Sequence, residues 1–277
     1  MQTEPPHLKG VILCADDFAV HEPASHGIAL LAAMGRLSAT SVMVLSPRWP
    51  DDVALLRGLH GQLDVGLHLD WTSEFALAAG HGMSLGAAML RSALGGFNQK
   101  AARAVIERQL DAFETHWKAP PDYVDGHQHV QQFAGIREPL VQALVSRYGA
   151  RPSQLPYLRI SRAPAGAADL KSRVIAAMGA GALEKIAVDA GITRAGALLG
   201  AYDFAGDTAG YAWRMAGWLS AAPAGSVLMC HPARELAPDD TIGAARVREF
   251  DYLSSAEFPV ALAQHGVRLV RGDCLAR

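Results

Sequence analysis

Short apolar runs alternate with stretches of helical spacing along this chain, and several of the runs stop at polar residues. Val11–Phe18 is the clearest: Val11, Ile12 and Leu13 have strong β preference, and Asp16 and Asp17 follow at once. A run apolar on both faces suits a parallel strand covered on both sides. Ala39–Leu45, Leu63–Leu69, Tyr123–Val124, Tyr157–Ile160, Ser226–Cys230 and Val267–Val270 read as further strands. Between them Ala24–Gly35, Pro50–Leu59, Asn98–Trp117, Ile136–Tyr148, Ala209–Ser220 and Ser255–His265 read as helices. Asn98 caps the best of these, in which Ala102, Val105, Ile106, Leu110, Phe113 and Trp117 share one face. Two stretches pattern weakly. Asp70–Phe97 is Gly-rich and reads as a lid or binding loop. Ala163–Gly200 reads as a mildly helical insertion, and it is a candidate contact for a homo-oligomer.

Strands alternating with helices, with no linker, predict one α/β domain over residues 8–277, with the helical insertion at 163–200. No Gly-x-Gly-x-x-Gly or Walker sequence follows the first strand, which argues against a nucleotide-binding doubly wound sheet. The expected architecture is an irregular TIM-like (β/α) barrel of parallel strands.

Composition narrows the function. The chain has 277 residues, is 50% hydrophobic and carries a net charge of -2, as a globular protein with a sizeable core does. No basic tract suggests nucleic acid, and no apolar run is long enough to span a bilayer. Met1–Gly10 is polar, contains Pro5 and Pro6, and lacks the apolar segment of a signal peptide. Cys14, Cys230 and Cys274 are too few and too scattered for a disulfide framework. Cys14 and Cys230, in apolar runs, are expected to be buried thiols, and a cytoplasmic location fits.

Four strand-like runs end in acids or histidines: Asp16 and Asp17, then His68, then His127 and His129 in Asp125-Gly-His-Gln-His, then His231. In a parallel barrel the carboxyl ends of the strands meet at one rim, where chemistry gathers. Two imidazoles and a carboxylate form a catalytic metal set that leaves a position for water. His127 and His129, two apart on a strand, share a face, so both can point at one site or one can hold the other. Each residue also has a plain structural reading, as a strand terminus, a cap or a hydrogen-bonded core residue.

Ala15-Asp-Asp-Phe, Gly66-Leu-His-Leu, Asp125-Gly-His-Gln-His and Cys230-His-Pro-Ala, in this order, resemble the YdjC-like carbohydrate deacetylases, which include chitooligosaccharide and hopanoid-associated deacetylases. The resemblance runs from about Leu8 to the end of the chain. It implies a TIM-like barrel that removes an N-acetyl group from an amino sugar, glycan or glycolipid with one divalent metal ion, magnesium or zinc. By that resemblance Asp17, His68 and His127 are the metal ligands, Asp16 is the base acting on water, and His231 is the general acid. Tyr157-Leu-Arg-Ile-Ser-Arg resembles the family's Arg-containing strand, which places Arg159 beside Asp16 and Arg162 near the substrate. Trp71, just past His68, is a candidate for stacking on a sugar ring. Ala19 stands where the family usually has Gly, and Gln128 and Gln131 stand where it has more histidine. The metal's identity and the role of His129 are left open by these departures. Competing readings are another metal-dependent hydrolase on the same barrel, an amidase or a phosphoesterase, and a sugar-binding protein without catalysis.

Overall fold

β1 (Lys9–Phe18) is buried along most of its length and has neighbours on both edges. The structure is a computed structural model that describes residues 8–167 and 169–275. Met1–His7, part of the segment read above as lacking a signal peptide, lie outside the described residues, as do Ala168 of the 163–200 stretch and the last two residues of the 8–277 range. After β1 come α1 (Glu22–Ala33), β2 (Ala39–Val42), α2 (Trp49–Arg57) and β3 (Asp64–Leu69). Two short helices, α3 (Glu74–Ala78) and α4 (Leu85–Ala93), precede the long α5 (Gln99–Trp117). β4 (Tyr123–Gly126) runs into a 3₁₀ segment, His127–Gln132, followed by α6 (Arg137–Tyr148) and β5 (Tyr157–Leu158). Then come α7 (Leu170–Ala177), α8 (Ala180–Asp189), β6 (Leu198–Leu199), α9 (Thr208–Ala221) and β7 (Ser226–Cys230). After β7 come α10 (Gly243–Ser254), α11 (Glu257–Gln264) and β8 (Val267–Leu269), followed by a 3₁₀ turn at Gly272–Cys274.

The strands form one parallel sheet in the order β5-β4-β3-β2-β1-β7-β6, with β8 paired to Lys9–Val11 at the start of β1. An isolated parallel bridge, Leu158 with Arg194, links β5 to the segment leading into β6 and brings the edges of the curled sheet together. This is the expected irregular TIM-like α/β barrel. All strand carboxyl ends therefore face one rim.

Local chemistry sets the element boundaries. α1 starts where His21 Nδ1 accepts from the Ala24 N–H at 3.1 Å, with Pro23 in the first turn, and stops before Gly35, which has a φ of +67°. Asn98 caps α5 through the Ala101 N–H at 2.9 Å, as its sequence indicates. Phe113 of that helix stacks on Trp49 of α2, with ring centroids 5.8 Å apart, and ties the two helices together.

Three stretches differ from the sequence reading. Asp70–Phe97 is not one loop: it holds α3 and α4, capped by Ser73 and Ser84, and Gln109 of α5 bonds both the N–H and the carbonyl of Asp70. The 163–200 stretch contains α7 and α8 and then returns to the sheet as β6, a strand too short to leave an alternating pattern. α10 has no counterpart among the expected helices.

The barrel interior is plugged by aromatics. Tyr123 and Tyr157 stack with centroids 5.0 Å apart and planes 21° from parallel. Gly66 makes room for them: a Cβ there would lie 2.4 Å from Tyr123 Cζ. Polar groups above this plug are thus cut off from the opposite end of the barrel.

Candidate active site

The pairing of β1 with β2 slips between Ala15 and Phe18, and Asp17 sits in the left-handed region at a φ of 69°. Such an irregularity at a strand end re-aims side chains. Here it sends two adjacent carboxylates to different partners.

Asp17 meets the histidines of two other strands. Its Oδ1 lies 3.4 Å from His68 Nε2 and 3.3 Å from His127 Nδ1. One donor atom from each of the three residues falls within 4.8 Å of the others, so the set can hold one cation. His68 and His127 pack edge to face, with centroids 5.6 Å apart. Burial opposes charge on Asp17, but Arg246, His127 and His68 outweigh it and hold the carboxyl well below its usual range. Burial likewise opposes the imidazolium of His68, yet Asp125, Asp17 and Asp16 push its pKa up to about 10. Charges of that sign favour a divalent ion at this place, and a carboxylate with two imidazoles is a donor set for one.

Asp16 points into the barrel on the same face of β1 as Cys14. Arg159 of the β5 segment grips it with two bonds, Nη1 to Oδ1 at 2.7 Å and Nη2 to Oδ2 at 2.9 Å. Burial would raise the Asp16 pKa, but Arg159, with His68 and His231, drives it well below the usual range. Asp125 ties the two groups together. Its Oδ1 accepts from His68 Nδ1 at 2.6 Å, and its Oδ2 lies 2.8 Å from Arg159 Nη1 and 2.5 Å from Ser41 Oγ. This carboxylate fixes the His68 ring so that Nε2 faces Asp17. The sequence motif contains Asp125, but its role shows only when β3 and β4 pair His68 with it.

His231 ends β7 on the other side of β1. Its N–H donates to Glu249 Oε2 at 2.5 Å, and the Phe204 ring meets its imidazole edge-on at 5.3 Å. Glu249 also accepts from the Tyr202 hydroxyl at 2.6 Å. Arg246, one turn earlier on α10, donates to Asp17 Oδ2 at 2.7 Å. Arg246 and Glu249 escaped the sequence reading. The available signal was their spacing of three within Ala245, Tyr252 and Leu253, an apolar face interrupted by an acid and a base.

The structure thus gathers Asp16, Asp17, His68, His127 and Arg159, with His231 alongside. Three other expected positions differ. β4 stops at Gly126, and Gln128 and His129 have φ values of 51° and 64°, so His127 and His129 do not share a strand face. His129 Nδ1 lies instead 3.1 Å from Ser161 Oγ, and burial together with Arg159 lowers its pKa to about 3. Trp71 is only 2% exposed and packs against His81 at 5.7 Å, so it offers no open face to a sugar. Arg162 turns outward to pair with Glu184 of α8, which also binds Arg194.

A family model described as YdjC-like protein matches residues 10–264. A Mus musculus protein named Carbohydrate deacetylase is 30% identical over 156 residues, 53% of this chain and 50% of its own length. A Serratia marcescens protein named Chitooligosaccharide deacetylase is 31% identical over 148 residues, 51% of this chain and 57% of its own. The chain thus spans about half the length of the curated relatives it matches. A crystal structure from Enterococcus faecalis V583, of a protein ascribed to cellobiose-phosphate cleavage, superposes with a TM-score of 0.71 at 20% identity, covering 98% of this chain and 100% of that one. At that identity the likeness speaks for the fold alone.

Proposed function

The chain belongs to the YdjC-like family, and we propose that it hydrolyses the N-acetyl amide of an amino sugar, either free or within a glycan or glycolipid, using one divalent cation, magnesium or zinc. The observation that carries this reading is the convergence of Asp17, His68 and His127 beside a second, guanidinium-held carboxylate. Asp17, His68 and His127 would hold the cation. When bound, it supplies Lewis-acid polarisation of the acetyl carbonyl and makes water nucleophilic near neutral pH.

The remaining steps belong to the chain's own side chains. Asp16 accepts the proton of the attacking water, and Arg159 keeps it ionised and oriented. His231 gives a proton to the amine nitrogen as the C–N bond breaks, and acetate and the amino sugar leave. Asp125 keeps the His68 ring turned toward Asp17 throughout. None of the described helices is long and apolar enough to cross a membrane; this reading keeps the cytoplasmic placement.

A two-metal phosphoesterase is disfavoured. Among the described residues the other group able to hold a metal is Cys14, Asp16 and Asp125, and Arg159 Nη1 already sits 2.7 Å and 2.8 Å from the two carboxylates. A fixed guanidinium stands where a second cation would go. The test is elemental analysis of the purified chain, then acetate release over N-acetylated glycans beside a phosphoester panel. Metal-dependent acetate release is expected. Phosphoester turnover without it, or glycan binding with no turnover in any metal, would reject the proposal.

A further inference from the structure

Asp17 is held from two sides. Its Oδ1 faces the two imidazoles, while its Oδ2 accepts from Arg246. Its left-handed backbone is one that a residue with a Cβ keeps only when its surroundings fix it. Arg246, only 4% exposed, is itself locked: Nε donates to Asp240 Oδ2 at 2.9 Å, and Nη1 reaches the His231 carbonyl at 3.4 Å. Asp240 is fixed in turn by the Ile242 N–H and by His21 Nε2, each at 3.1 Å. One rigid guanidinium therefore touches the end of the first strand and the end of the seventh.

We propose that Arg246 is a positioning residue that occupies Oδ2 of Asp17, so that Asp17 offers the cation one oxygen and not two. The inference rests on the metal-dependent reading above and adds a residue to it. A carboxylate free at both oxygens can chelate, and it then takes a position otherwise open to water or substrate. A guanidinium beside a cation also repels it. Both effects give the loss of Arg246 an unusual sign: the metal binds more tightly while the reaction slows. A merely structural role weakens both together.

The experiment is a Co²⁺ titration of the metal-free full chain, followed by visible absorption, on the parent, Arg246→Ala, Arg246→Gln and Arg246→Lys, with acetate release measured separately. For Arg246→Ala, Co²⁺ affinity should rise about 3- to 10-fold, and the ligand-field spectrum should shift as the coordination number grows. Its acetate release should fall about 10- to 100-fold. Added guanidinium ion should move the spectrum back. If the alanine variant does not fold, the other two decide the matter. Arg246→Gln keeps a donor to Oδ2 without the charge, so its spectrum should match the parent while Co²⁺ binds more tightly. Arg246→Lys should lie between the parent and Arg246→Gln in affinity.

Weaker Co²⁺ binding with an unchanged spectrum in Arg246→Ala, or parent-like affinity in Arg246→Gln, overturns the proposal and leaves the deacetylase reading standing. Failure of the parent itself to bind Co²⁺, or binding indifferent to His68→Ala and His127→Ala, removes the metal centre and this inference with it. Neither readout needs substrate, so absent acetate release counts only against the reaction.

Discussion

Asp16 and Asp64 are both buried acids on parallel strands, at opposite ends of the same barrel, and their surroundings pull them in opposite directions. At the carboxyl end, Asp16 has a two-pronged guanidinium, and Asp17 has Arg246 and two imidazoles. Both carboxyls sit below their usual range. At the amino end, Asp64 accepts from the Gly272 N–H at 2.5 Å and from the Tyr157 hydroxyl at 3.2 Å, while Arg271 Nε stays 3.9 Å away. There burial wins: it raises the Asp64 pKa to about 6, and Asp122 adds to the rise against the Gly272 bond. Burial is shared, so it does not make a site. Fixed opposite charges do, because they are what keep a desolvated carboxylate ionised, as a cation requires.

The largest break in that comparison comes from removing a candidate ligand. His127→Ala should lose the bound metal and about 1,000-fold of the acetate-releasing activity; elemental analysis of the variant checks it, and full metal content would reject the ligand assignment. Asp125→Asn comes next. It leaves Asp16 and Asp17 in place but weakens the hold on His68 and on Arg159, so metal affinity should fall about 10- to 100-fold, read by competition with a chelator. A value matching the parent would show that His68 is oriented by packing alone.

Asp64→Asn has the smallest expected effect on the metal site and on acetate release, and sharpens the other half of the comparison. The folded chain holds the Asp64 proton at a pKa of about 6, against 3.8 for an ordinary aspartate. The stabilisation given by the protonated form is whole below about pH 4, drains as pH rises toward 6, and is absent above it. The asparagine variant should therefore match the parent near pH 4 and exceed it by about 3 kcal/mol above pH 7. Denaturant unfolding at the two pH values measures this, and an equal difference at both would show that Asp64 does not titrate with folding. Acetate release should not change, since Asp64 lies beyond the tyrosine plug.

The parts of the candidate site that were legible share one trait. Asp16, Asp17, His68, His127 and His231 each follow a local apolar run, and adjacency in the chain fixes their places at strand ends. The unreadable parts depend on distant neighbours. α10 turns Arg246 and Glu249 inward, which spoils the apolar stripe by which a helix is recognised. β6 is a strand only because β7 lies beside it. Trp71 followed His68 as a sugar platform would, but the segment after α3 folds back, with Met83 bonded to the Trp71 carbonyl and His81 packed on its ring, and the side chain is buried. The left-handed turn at Gln128 and His129 undid an inference drawn from strand alternation.

By itself the sequence determined the α/β alternation and the residues that terminate β1, β3, β4 and β7, because hydrophobic periodicity and turn chemistry act over a few residues. The tertiary structure alone decided which charge each buried acid meets. Arg159 lies 143 positions from Asp16, and Arg246 lies 229 positions from Asp17. Electrostatic interaction depends on distance in space, and separations of that size along the chain become contacts only when the barrel closes.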